Sequence, residues 1–234
     1  MCGRIVRSSP AEVLREEFGA EPPADLRPRW NVCPGADLLA VVRAEDGTRR
    51  MGWLRWGLVP WFAKDPKDAH RAINARAESL AERPTFRQAF RRRRCLVVAD
   101  GFYEWRREGG TKTPFFVRLR GGRPMALAGL WERWQPRAAA GEPDALAPPL
   151  LTCAIVTCAA NALVAPIHDR MPVILGREAR ERWLDPVCEE PGAALVPCPP
   201  GWLEAWPVST RVNSPRNDGP ELIAPSRAAS DRFG

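Results

Sequence analysis

The chain has 234 residues, 45% hydrophobic and 27% charged, which supplies apolar material for a substantial core and excludes wholesale disorder. No apolar run approaches the roughly 20 residues that span a bilayer, and the start, Met1-Cys2-Gly3-Arg4-Ile5-Val6-Arg7, is too short and too charged for a secretory signal, so a soluble cytoplasmic protein is expected. The formal charge of +7 points to a polyanionic partner; only Lys64, Lys67 and Lys112 are lysines, so the charge is almost wholly arginine, which grips phosphate bidentately and stacks on bases.

In chain order, Ser9-Pro10-Ala11-Glu12 reads as a capping box with proline at the first helical position. The helix it opens runs through Val13, Leu14 and Phe18 and stops at Gly19. Pro22, Pro23 and Pro28 then predict an extended segment before Trp30. Residues 38–43 and 51–58 are apolar, β-branched or aromatic runs on either side of Asp46-Gly47, a hairpin signal. Residues 75–90 read as partly helical, broken by Pro84. Strands are expected at 95–99, 102–105, 114–119, 125–131, 151–157 and 171–175, with Gly109-Gly110 and Gly121-Gly122 as turns. A short helix is expected over 177–184, ending before Asp185-Pro186. Residues 135–149, rich in Ala, Pro and Gly, read as a surface loop, and 191–200 as another. Neither divides the chain into self-contained halves. The expectation is one strand-dominated α+β domain over residues 1–234, and a monomer.

Seven cysteines (Cys2, Cys33, Cys95, Cys153, Cys158, Cys188 and Cys198) are an odd number with no secretory segment ahead of them, so a disulfide framework is not expected. No C-x-x-C pair exists and His70 and His168 are the only histidines, so no metal and no cofactor are expected. Cys2 stands apart from the other thiols. Loss of Met1 would leave it with an α-amine of ordinary pKa about 7.7–8.0 beside a thiol near 8.5. Such a 1,2-aminothiol condenses with an aldehyde to a Schiff base and closes to a five-membered thiazolidine.

Three further segments carry chemistry-bearing residues: Ile73-Asn74-Ala75-Arg76, Asp100-Gly101-Phe102-Tyr103-Glu104-Trp105 and Ile167-His168-Asp169-Arg170. Singly, Asn74 also reads as a turn residue, Glu104 as a surface carboxylate and His168 as a loop histidine. Together with Met1-Cys2-Gly3-Arg4, Trp30-Asn31-Val32-Cys33-Pro34, Arg55-Trp56-Gly57-Leu58-Val59-Pro60, the run from Arg93 through Asp100 to Trp105 and Val212-Asn213-Ser214, they give the chain its family likeness. It resembles the SRAP (SOS response-associated peptidase) family over nearly its whole length, with the motifs in family order. Cys33-Pro34-Gly35 departs from the family's more usual Ala-Pro-Thr.

The resemblance implies barrel-like antiparallel sheets with a few flanking helices, and members that crosslink to abasic sites in single-stranded DNA. It implies Cys2 as nucleophile, Glu104 as proton shuttle, His168 as the acid acting on the sugar ring oxygen, and Asn74 as an orienting amide. Arg4, Arg76 and Arg170 stand as candidates for flanking phosphates and Trp105 as a base-stacking platform. Arg91–Arg94 could join a DNA groove or form a solvated face. Two rival readings remain open here: a cysteine-type (auto)peptidase built on Cys2, and a non-catalytic single-strand-binding module.

Overall fold

The computed structural model describes residues 2–66, 72–135 and 148–226. Most of the loop expected at 135–149 lies outside them, as does His70. The longest apolar runs become the wall of a closed barrel. β3 (Asp37–Arg43) and β4 (Arg49–Trp56) pair as the expected hairpin. Gly47 sits in its turn at φ +80°, where a side chain would be strained. β6 (Arg94–Ala99), β9 (Met125–Trp134) and β10 (Leu150–Ala159) complete the circuit. The order is β10-β4-β3-β6-β9, and β9 pairs back onto β10. Closure removes the exposed edges that an open sheet presents. All six residues of β6 are buried, which is why this strand reads as a continuous apolar run rather than an alternating one. The interior is tight: a Cβ added at Gly129 would stand 2.7 Å from Cys95 Sγ and 3.0 Å from Val97 Cγ2.

Two short strands lengthen the barrel beside the far half of β10. β5 (Asn74–Arg76) runs parallel to it and β11 (Arg170–Pro172) antiparallel. The pairing of β10 with β4 is also parallel, a departure from the otherwise antiparallel arrangement. Residues 171–175 were expected to be one strand; pairing ends at Pro172, with only an isolated bridge from Ile174 to Leu127 beyond it.

A second sheet has the order β12 (Leu203–Pro207), β8 (Thr111–Leu119), β7 (Gly101–Glu108), β1 (Ile5–Arg7), β2 (Arg29–Val32). It meets the barrel at Asp100, between β6 and β7. Asp100 donates its N–H to the Val6 carbonyl at 2.8 Å. Its carboxylate accepts the backbone N–H groups of Ser8 (2.5 Å) and Ser9 (2.9 Å) and the Ser9 hydroxyl. Gly101 has no room for a side chain, since a Cβ there would lie 2.2 Å from the Phe116 ring.

Three helices, α1 (Ala11–Phe18), α2 (Pro84–Arg92) and α3 (Arg177–Leu184), flank the sheets. α1 ends as expected at Gly19, φ +63°. The capping box does not form: the Ser9 hydroxyl goes to Asp100, and Pro10 occupies the N-cap position with no side-chain cap. Pro84 does not break a helix but begins one. Proline suits the first turn, where its fixed φ is helical and its missing N–H had no intrahelical partner. The basic run at its end divides. Arg91 and Arg92 are exposed, whereas Arg93 pairs with buried Glu132 at 2.9 Å and Arg94 is buried, donating to the carbonyls of Trp183, Phe90, Arg91 and Asp185.

Candidate active site

The β1–β7 register carries the N-terminal residues to the site. Ile5 stands opposite Phe102 and Val6 opposite Gly101, and the Tyr103 N–H donates to the Arg4 carbonyl at 3.0 Å. Continued in the same sense, this antiparallel register sets residues 2 and 3 alongside Glu104 and Trp105. Asn74, at the start of β5, donates from Nδ2 to the Cys2 carbonyl at 2.8 Å, while its Oδ1 is buried without a hydrogen-bond partner.

Cys2 is fully buried. Burial pushes its thiol well above the ordinary value, and the Glu104 charge pushes it further the same way. Glu104 is 2% exposed. Burial raises its carboxyl, with the His168 charge acting in the opposite direction. A carboxyl raised in this way accepts a proton more readily than an ordinary carboxylate and can return it as an acid. A thiol that burial holds protonated needs such a base before it can attack.

His168 precedes β11. Its Nδ1 accepts the Arg170 backbone N–H at 2.9 Å, and Asp169 Oδ1 lies 2.8 Å from the same nitrogen. One nitrogen cannot serve both at once, because the first contact needs its lone pair and the second a proton. While the backbone bond is made, Nε2 is the nitrogen left to donate. Asp169 is 86% exposed, so the ion pair it would make with a protonated ring is screened by water.

Between these elements lies an open cleft of about 560 Å³, walled by Glu104, Trp105, Arg107 and Lys112 on one side and by the residues up to His168 and Asp169 on the other. Cys2 does not line it. Trp105 is pinned by its Nε1 donating to Asn213 Oδ1 at 2.8 Å. A separate cavity of about 500 Å³, between the start of α3 and Trp202, holds none of the residues singled out from the sequence.

Cys2, Asn74, Glu104, Trp105 and His168 thus converge, although they come from four separate stretches of chain. The three arginines do not behave alike. Arg4 is engaged within the protein: it donates to Asn31 Oδ1 (2.7 Å) and to the carbonyls of Val212 (2.5 Å) and Asn213 (3.1 Å). Arg170 forks onto both Glu78 oxygens at 2.6 and 2.9 Å and reaches the Thr157 carbonyl at 2.7 Å, fastening the His168 segment to the chain after β5. Arg76 is exposed and has no side-chain hydrogen bond or ion pair among the described residues. Sequence reasoning gave no role to Asn31, whose Nδ2 donates to the carbonyls of Val212, Ser214 and Asn217, nor to Asn213, Glu78, Arg107 and Lys112. Asn31 and Asn213 lie in motifs that were recognised, but a motif names a residue without naming what it holds. Among the described residues no three His, Cys, Asp or Glu side chains gather as a metal set, and all seven cysteines are free.

The model of the SOS response associated peptidase (SRAP) family matches residues 1–215. The chain belongs to the SRAP family. Among relatives of this SRAP chain, the abasic site processing protein YoqW of Bacillus subtilis is 40% identical over 230 residues, covering 95% of this chain and 99% of that protein. The abasic site processing protein YedK of Escherichia coli is 32% identical over 236 residues, covering 96% and 100%. A crystal structure of a protein from Bacteroides thetaiotaomicron superposes with a TM-score of 0.82 at 24% identity, over 96% of this chain and 100% of that one, and so shares the SRAP fold.

Proposed function

We propose that this protein processes abasic sites in single-stranded DNA by covalent capture through Cys2. The observation that carries the reading is the juxtaposition of Cys2 with Glu104, whose charge acts on the thiol more strongly than any other group. The carboxyl faces a cleft that also holds an imidazole, and YoqW and YedK both bear the name abasic site processing protein.

Removal of Met1 frees the Cys2 α-amine. Glu104 takes a proton from the ammonium, and the amine adds to C1′ of the ring-opened sugar. The carbinolamine then loses water, helped by the same carboxylic acid, to give an imine. The thiol adds across the C=N bond: sulfur bonds to C1′, its proton ends on nitrogen, and a five-membered ring closes. One water is lost overall, with no oxidant or reductant required. His168, with its proton on Nε2, donates to the ring oxygen as the furanose opens to the aldehyde. Asn74 holds the Cys2 carbonyl and so the orientation of the amine. General acid–base assistance of this kind contributes about 10²–10⁴-fold. An unpaired strand suits a fully buried nucleophile, because a sugar lacking its base turns out of line at little stacking cost. The same carboxyl could assist removal of Met1, so hydrolysis of that one bond fits the site without a general peptidase activity.

The test is intact-mass measurement after incubation with a single-stranded oligonucleotide carrying one abasic site. The expected product has the mass of Met1-less protein plus oligonucleotide minus one water and survives denaturant. Protein that keeps Met1 yet reacts in full, or that never gains the mass, would overturn the reading.

A further inference from the structure

Resting on that reading, we propose that Arg107 and Lys112 form a phosphate site for the backbone linkages flanking the captured sugar. The β7–β8 register sets Arg107 directly opposite Lys112, next to the turn at Gly109-Gly110. Like charges facing each other across an antiparallel pair are destabilising. Both side chains are exposed, and neither makes an ion pair with any described residue. The acids nearby are otherwise engaged. Glu108 pairs with Arg106 at 3.3 Å, Asp169 lies against His168, and Glu104 is buried. Strand stability gives no reason for this arrangement; a bound anion does.

Placement says which anion. Residues alternate along a strand, so Arg107 and Lys112 share the face of Trp105. Lys112 Nζ stands 5.5 Å from the Trp105 ring, which steers the ammonium over the cleft. Arg107 and Lys112 line the same cleft as Glu104 and His168. Arg107 is three residues beyond Glu104, about 10 Å at strand rise, a reach that meets the neighbouring phosphates rather than the sugar. The guanidinium and the ammonium can therefore hold the strand in position while the sugar reacts, with Trp105 between them and the chemistry.

The test is a cycle between protein and substrate. The double variant Arg107→Gln/Lys112→Gln and the unaltered protein are each given abasic single strands with ordinary linkages, or with uncharged methylphosphonates flanking the lesion. At sub-saturating protein, either change alone should slow adduct formation about 3- to 10-fold, and the two together should slow it no further. Non-covalent binding of an undamaged strand should lose about 1.4 from its log K against log salt slope, two phosphates at about 0.7 each. A double variant that matches the unaltered protein, or effects that multiply, would overturn the proposal. So would the same non-additive loss from Arg91→Gln/Arg92→Gln, which removes equal charge at the end of α2. The salt slope needs no adduct, so the phosphate site is judged even if covalent capture fails, and capture without any slope change rejects the site alone.

Discussion

Cys2 and Cys95 are both wholly buried, and burial pushes both thiols far above their ordinary range. Their surroundings differ. Cys95 sits in the barrel wall against Gly129, and burial alone accounts for its shift. Cys2 sits where the second sheet meets β5, with a carboxylate acting on its sulfur and an amide on its carbonyl. A buried thiol without a base is a small core residue; on the proposed function, a buried thiol beside a carboxyl that can accept its proton is a nucleophile held in reserve. Depth does not separate the two cysteines. Their neighbours do.

The sharpest way to break the comparison is to remove each sulfur in turn. Cys2→Ala should abolish the heat-stable adduct while undamaged single strands still bind. Cys95→Ala should leave the adduct and cost about 1–3 kcal/mol of stability, read by denaturant unfolding, as a small cavity in a tight core would. An adduct lost from Cys95→Ala protein that is still folded would defeat the distinction.

Next in size is Glu104→Gln, which should slow adduct formation about 10²–10⁴-fold in single-turnover assays. Stability should move the other way. A carboxyl raised by burial favours the folded state while it is protonated, and that contribution is lost as pH rises through its folded pKa. The variant's Tm should therefore exceed that of the unaltered protein by a margin that widens with pH, while the unaltered protein's adduct rate climbs across the same interval. A constant Tm difference from acid to alkaline pH would show that the carboxyl carries no such shift.

The barrel side can be sharpened with Gly129→Ala. The added carbon meets Cys95 and Val97, and overpacking of this kind costs about 1–3 kcal/mol. The adduct rate per folded molecule should not change. The smallest effect is expected from Asn74→Ala: loss of one hydrogen bond to Cys2, about 1 kcal/mol, read as a slower adduct rate at nearly unchanged Tm.

Much of this was legible in the sequence, for identifiable reasons. Residues 95–99 read as a buried strand because all five are apolar and buried, and α3 has the bounds its pattern suggested. Cys2, Asn74, Glu104 and His168 were singled out because their types are chemically specific. What the chain order hid was partnership. Nothing local says that the Ser9 hydroxyl prefers Asp100, 91 residues on, to the first turn of its own helix. The sequence displays the charge of Arg4 and Arg170 but not the acceptors that each also engages within the fold. Proline at 84 reads as a helix breaker in the sequence because its effect depends on which turn it occupies. The cross-strand pairing of Arg107 with Lys112 becomes visible only once the hairpin register is known.

The clamp on Arg4 has a consequence for how the protein matures. Its guanidinium is held by carbonyls 208 and 209 positions downstream, so that fastening forms only when nearly the whole polypeptide has left the ribosome. Throughout synthesis the leading end lacks that anchor. Docking of the terminus thus belongs to the completed chain, late in folding.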